Sequence, residues 1–195
     1  MEPQQIIDIA ERLSESYVEG DYGWGPRKRF DESQLTPATL GFPYIRATCG
    51  TTRTVLIGEK IVFKAVTNGS STHCNIFEWE LYSIVPDWAR PHFCRPLYIS
   101  RNGRVIVMER LATGVTGVEI KNLKNRFREK ISDAGEISRL FSDDIPINLG
   151  FKNGQIQFLD YANSYDPMKL ESYEDINSVR IALRDSFPIF LTSDI

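Results

Sequence analysis

The stretch from Phe141 to Ala162 constrains this chain more than any other. It reads Phe-Ser-Asp-Asp-Ile-Pro-Ile-Asn, then Leu-Gly-Phe-Lys-Asn-Gly-Gln-Ile-Gln-Phe-Leu-Asp-Tyr-Ala. Asn153-Gly154 between two apolar runs is a hairpin signal, because the favoured two-residue turn needs φ > 0 at its centre. The second arm, Ile156 to Asp160, alternates like a strand and delivers a carboxylate at its end. One tight hairpin therefore brings together a loop carboxylate (Asp143), a loop amide (Asn148) and a strand-end carboxylate (Asp160). Oxygen ligands of this kind suit Mg²⁺, which takes carboxylates, amide oxygens, water and substrate phosphates. An acidic loop beside an ordinary Asn-Gly hairpin looks the same, so the order of the other motifs has to decide.

A chain of 195 residues with 42% hydrophobic content is long enough for one cored domain, or for two small lobes sharing a cleft. Its formal charge of -3 lacks the basic excess of a nucleic-acid footprint. No apolar run reaches membrane-spanning length, and the first residues do not read as a signal peptide. The three cysteines (Cys49, Cys74, Cys94) are odd in number and widely spaced, which reads as reduced thiols. Two histidines, His73 and His92, are too few for a His-metal cluster.

Ile6, Ile9, Ala10, Leu13 and Tyr17 form one helical stripe, and Pro3 suits the first turn of that helix. A loop rich in Gly and aromatics follows, from Gly20 to Pro26, then a short basic cluster, Arg27 to Arg29. That cluster is a solvated patch or a contact for an acidic partner. Residues 44–66 read as a three-stranded meander, with Gly58-Glu59 as a two-residue turn in which Gly supplies φ > 0. Lys64 lies mid-strand between apolar residues. Its ammonium faces solvent, or is buried and paired. Arg53 reads as an exposed strand-edge residue, with a phosphate or substrate contact as the other option.

A helix is expected from Thr72 to Val85, ended by Pro86. Glu78 borders its apolar face, defined by Leu81, Tyr82 and Val85, and Glu80 points further outward. Leu97 to Ile99 and Val105 to Met108 flank a second hairpin at Arg101-Asn-Gly-Arg104. The strand then runs through Met108, Glu109 and Leu111 towards Gly114. Residues 116–130 are expected to form an amphipathic helix on Val118, Leu123 and Phe127, with Ile131 at its end. A last helix is expected over 170–187 on Ile176, Val179, Ala182 and Leu183.

In their order these motifs resemble the protein-kinase-like superfamily, whose catalytic loop reads H-R-D-x-x-x-x-N and is followed by a D-F-G aspartate. Asp143 matches the catalytic Asp, Asn148 the metal-binding Asn, and Asp160 the D-F-G Asp. Gly50 matches the middle glycine of the phosphate-covering loop and Val55 its trailing valine, while Thr48 and Arg53 occupy the outer glycine positions. Val62-Phe-Lys64 resembles the strand lysine that orients phosphates. The resemblance implies that Glu78, with Glu80 as runner-up, pairs with Lys64. It also implies that Met108 backs the adenine pocket, and that the Glu109 carbonyl and Leu111 amide bond adenine. Phe141-Ser142 stands where His-Arg is usual, and Tyr161-Ala162 where Phe-Gly is usual. The absent Arg implies no phosphorylated activation-loop switch.

The implied architecture is α+β, a two-lobed minimal kinase fold. An antiparallel-sheet amino lobe with an amino-terminal helix spans about residues 1–110, and a reduced helical carboxy lobe about 111–195. Only 35 residues follow Asp160, with no Ala-Pro-Glu, so a pared-down carboxy lobe is expected. In size and truncation the chain is similar to bacterial type III effector kinases of the HopBF family. That resemblance implies an ATP- and Mg²⁺-dependent Ser/Thr protein kinase, secreted into a host cell and monomeric. It would phosphorylate the eukaryotic ninety-kilodalton heat-shock chaperone. Within this reading Lys64 and Asp143 are catalytic, and Gly50, Val55, Lys64, Glu78, Met108, Glu109 and Leu111 bind ATP. Asn148 and Asp160 hold the metal. Two other readings share the motifs: a small-molecule phosphotransferase of the aminoglycoside type, and a non-catalytic nucleotide-binding pseudokinase.

Overall fold

A computed structural model of the chain describes residues 1–21, 26–31, 36–47, 53–67, 72–132, 134–141, 146–161 and 181. These form a mixed α+β structure. It divides into two compact units, one of Met1–Ile76 with Pro96–Arg110, the other of Phe77–Arg95 with Leu111–Ile195.

The first unit begins with helix α1, Pro3–Glu15. Pro3 occupies the first turn, where its missing N–H costs nothing, and Glu2 and Gln5 close a capping box. The predicted stripe is interrupted at Tyr17, which is already extended. Strands β1 (Tyr17–Asp21) and β2 (Pro26–Phe30) pair antiparallel. The expected loop and basic patch are thus a strand pair, whose β pattern Gly and charged residues mask.

After the short helix α2 (Pro37–Leu40) come β3 (Ile45–Ala47), β4 (Arg53–Ile57) and β5 (Ile61–Val66). Helix α3 (Thr72–Ile84) starts in the first unit and ends in the second. Strands β6 (Pro96–Ile99) and β7 (Val105–Glu109) return to the sheet. The result is a five-stranded antiparallel sheet in the order β3-β4-β5-β7-β6.

The β4–β5 turn is tight, but for a different reason than expected. Gly58 does not adopt a positive φ. A Cβ there would stand 3.2 Å from the Ile61 carbonyl oxygen, so the glycine serves close approach of two strands.

One face of this sheet carries the unit's core. Ile61, Phe63 and Ala65 of β5, Leu56 of β4, and Val105 and Val107 of β7 pack with Ile9, Ala10 and Leu13 of α1. Tyr17 secures the helix exit, its hydroxyl donating to the Val66 carbonyl. Burial pushes the Tyr17 phenol up, against the nearby Arg104 guanidinium, and keeps it a donor.

The second unit contains the end of α3, a 3-10 turn at Arg90–His92, and helices α4 (Gly117–Arg128) and α5 (Ala134–Leu140). Another 3-10 turn, Pro146–Asn148, leads into the hairpin of β8 (Leu149–Lys152) and β9 (Gln155–Phe158). Its turn is as the sequence demands: Asn153 has φ 51° and Gly154 has φ 76°. Helix α4 is capped by Thr116, whose side chain accepts from the Glu119 amide while Glu119 reaches back. Its buried stripe is Ile120, Leu123 and Phe127. Val118, expected on that stripe, is 70% exposed. It sits two residues before Ile120, which puts it off the buried face.

The core of this unit is aromatic. Phe141 and Phe158 meet edge-on at 5.2 Å, and Phe127 packs on both. Phe93 lies 5.2 Å from Phe158 and 5.2 Å, edge-on, from Tyr161. Such edge-to-face pairs add about 0.5–1.5 kcal/mol each beyond area burial. The expected helix over 170–187 lies outside the described residues, except Ile181. Among the described residues, no helix is long and apolar enough to cross a membrane.

Candidate functional site

In the first unit three of the predicted nucleotide residues, Val55, Lys64 and Met108, share one sheet face, while Glu109 pairs with Ile61 of the other face. Directly opposed residues in antiparallel strands point the same way, and the β period is two. Val55, Lys64 and Ile106 are direct cross-strand partners, as are Val62 and Met108. Val55, Lys64 and Met108 therefore stand together on the face opposite the α1 core. Arg53, paired with Val66, belongs to the same face.

Lys64 does not point to solvent. All six residues of β5 are buried, and Lys64 is only 5% exposed. Arg53 is also 5% exposed, so the expected surface arginine is corrected to a buried one. The alternation that suggested an outward Lys64 is real, but both faces of the strand are covered. Asn75, fully buried near the start of α3, donates through Nδ2 to the Lys64 carbonyl at 3.4 Å and the Gly103 carbonyl at 3.1 Å. Glu109 is half-buried at the end of β7, paired with Ile61. The adjoining Arg110 amide donates to Lys60 O at 2.9 Å.

In the second unit Leu111 is buried, and its neighbour Ala112 exchanges two backbone hydrogen bonds with Phe151 of β8, at 3.0 and 2.7 Å. The β8–β9 hairpin then sets the metal candidates. Leu149 opposes Phe158, so Asn148 and Leu159 flank the open end of the ladder. The Asn148 carbonyl accepts the Leu159 amide at 2.7 Å and the Asp160 amide at 3.3 Å. Asn148 and Asp160, twelve residues apart in sequence, are thereby side by side, each half-buried.

The next residue extends the arrangement. Tyr161 is buried, its amide donating to Glu78 Oε1 at 3.2 Å and its hydroxyl to the Cys94 carbonyl at 3.0 Å. Glu78 is fully buried, and Glu80, expected to point outward, is only 5% exposed. Nearly the whole circumference of α3 is covered, so a reading that assumed one solvent face placed Glu80 wrongly. Phe141, where His is usual, and Tyr161, where Phe is usual, enter the aromatic core at the two ends of the loop-hairpin stretch. Both residues depart from the family's pattern, and both anchor the stretch in the core. Their signal was bulk and aromaticity flanking a polar loop.

Asp143 and Gly50 lie outside the described residues. Among the described residues, no three His, Cys, Asp or Glu gather as metal ligands. Asn148 and Asp160 offer one amide and one carboxylate. Such a sparse oxygen set suits Mg²⁺ when substrate phosphates and water complete its shell.

Comparison of the chain with known protein families, with curated proteins and with solved structures finds no match.

Proposed function

We propose that the chain is an ATP- and Mg²⁺-dependent phosphotransferase of the protein-kinase type, acting on Ser/Thr hydroxyls of a protein. The observation that carries the reading is the shared sheet face of Val55, Lys64 and Met108. A buried ammonium beside apolar residues matches what a purine nucleotide needs: an apolar wall for the base and a cation for the phosphates. The pairing of Asn148 with Asp160 at the hairpin end supports it from the second unit.

In this proposal Lys64 orients the α- and β-phosphates, with Glu78 as its counter-charge. Glu109 and Leu111 offer main-chain groups to adenine. Asn148 and Asp160 hold Mg²⁺, which neutralises charge developing on the transferred phosphoryl group. Asp143 takes the proton of the incoming hydroxyl and aligns it. Positioning and charge stabilisation supply most of the rate. Following the HopBF resemblance, the protein substrate is a host chaperone of the ninety-kilodalton heat-shock class, met after secretion of the chain.

The test is label transfer from γ-labelled ATP, run in parallel on proteins and on small alcohols and amines. Label in protein alone supports this reading. Label in small amines or alcohols alone makes the chain an aminoglycoside-type phosphotransferase. A thermal shift with Mg²⁺ and ATP but no transfer to either makes it a nucleotide-binding pseudokinase.

A further inference from the structure

Arg53 is a buried cation that the proposed mechanism leaves without a role. It opens β4 opposite Val66 and is 5% exposed, on the sheet face that carries Lys64 and Met108. The register sets these groups in order along β5. Val62, paired with Met108, lies two residues before Lys64, and Val66, paired with Arg53, lies two residues after it. Two residues of strand cover about 7 Å. An apolar wall, a first cation and a second cation therefore follow one another along one face in steps of about 7 Å. Arg53 and Lys64 are diagonal neighbours on β4 and β5, a separation of about 7–8 Å that long side chains span.

A nucleoside polyphosphate has the same order: an apolar base, then phosphates whose negative charge grows with distance from it. With the base against Val62 and Met108, Lys64 meets the phosphates nearest the sugar and Arg53 those beyond. Two like charges held out of water at this spacing repel, and a polyanion lying between them replaces repulsion with attraction. The guanidinium suits the outer position, because it is always charged and its planar fork of N–H donors matches two phosphate oxygens at once.

We propose that Arg53 is a second phosphate-binding residue, standing beyond Lys64 and selecting a triphosphate over a diphosphate. This rests on the reading of the face as a nucleotide site and adds to it the group that tells ATP from ADP.

Isothermal titration at saturating Mg²⁺ measures ATP, ADP and adenosine on the wild type, Arg53→Met and Arg53→Lys. In Arg53→Met, ATP should bind about tenfold more weakly, the scale of one charge-assisted contact, with ADP and adenosine within about twofold of wild type. Arg53→Lys keeps the charge and loses the fork, so ATP should weaken by about threefold. Equal weakening of ATP and ADP, or unchanged ATP binding, overturns the proposal. A parallel loss of adenosine binding marks a collapsed face and overturns it as well. If Arg53→Met does not fold, Arg53→Lys decides, and an unchanged ratio of ATP to ADP affinity refutes the role. A wild type that binds none of the three ligands removes the nucleotide reading and this role with it. A wild type that binds ATP, beside variants with the same preference, removes only the role.

Discussion

The Asn148 carbonyl accepts the amide of Asp160 at 3.3 Å, and that of Leu159 at 2.7 Å. This relationship converts a hairpin into a candidate metal site. The ladder from Leu149–Phe158 to Lys152–Gln155 fixes the register, and the carbonyl at its open end fixes where the next two residues leave. The positions of the two side chains thus follow from the turn at Asn153-Gly154. A one-residue slip would send Asp160 to the other face.

Asp160 is half-buried and outside the aromatic core, so its removal spares the fold. Asp160→Ala is expected to lower Mg²⁺-dependent phosphate transfer by about 10²-fold or more, the scale for losing one group that stabilises transition-state charge. Steady-state transfer beside a thermal melt checks this. Unchanged turnover in a folded variant rejects the assignment.

Lys64 combines burial with a charge, so its replacement is read in both stability and binding. Lys64→Met keeps the aliphatic stem and deletes the ammonium. The melting temperature should fall, since removing one partner of the proposed buried charge pair leaves Glu78 uncompensated at a cost of about 3–5 kcal/mol, so binding is measured well below the variant's melting point. Binding of ATP should weaken by about tenfold or more, as expected for losing a charge-assisted contact. Isothermal titration with Mg·ATP, beside a thermal melt, tests the pair of outcomes. Wild-type affinity in the variant would take Lys64 out of the site.

Gly150 sits under the segment that carries Leu111. A Cβ there would meet Leu111 Cβ at 2.6 Å and the Ala112 carbonyl at 2.9 Å. Because main chain is involved, the clash cannot be relieved by a rotamer change. Gly150→Ala is expected to destabilise by about 1–3 kcal/mol, as overpacking does. Urea denaturation measures it; a loss under about 0.5 kcal/mol, the range of ordinary surface substitutions, would contradict the packing.

Burial holds the His92 imidazole below its usual value, with the nearby Arg126 acting the same way and the Ile156 carbonyl opposing. The folded protein therefore prefers neutral His92. The unfolded chain binds the proton more readily, so this contribution is present above about pH 6.5 and is lost as pH falls through the depressed folded value. Stability should decline below pH 6.5 more steeply in wild type than in His92→Gln. Melting temperatures across pH 5 to 8 read the difference, and parallel curves would contradict it.

The elements with regular apolar spacing were legible in the sequence. The strands β3–β5, the β6–β7 hairpin and α3 follow from alternation and from turn residues placed where φ must be positive, as at Gly103 and Gly154. The β1–β2 hairpin was not legible, since Gly20 and the run Arg27–Arg29 give no apolar alternation. Burial of Arg53 and Glu80 was also out of reach. Whether a polar residue on a strand or helix is covered depends on what packs there, which local pattern does not encode. Of the site, the pairing of Asn148 with Asp160 was readable from hairpin length. The Glu78 contact to Tyr161 was not, because it joins segments 83 residues apart through a main-chain amide.

The central claim is phosphate transfer from ATP to protein. The most direct measurement incubates the chain with γ-labelled ATP, Mg²⁺ and a eukaryotic lysate, with Asp160→Ala as the parallel sample. The account predicts a discrete labelled band of about ninety kilodaltons with the wild type, as the HopBF resemblance implies, and none with the variant or with chelator. Equal labelling by both proteins, or none by either in the presence of Mg²⁺, would contradict it.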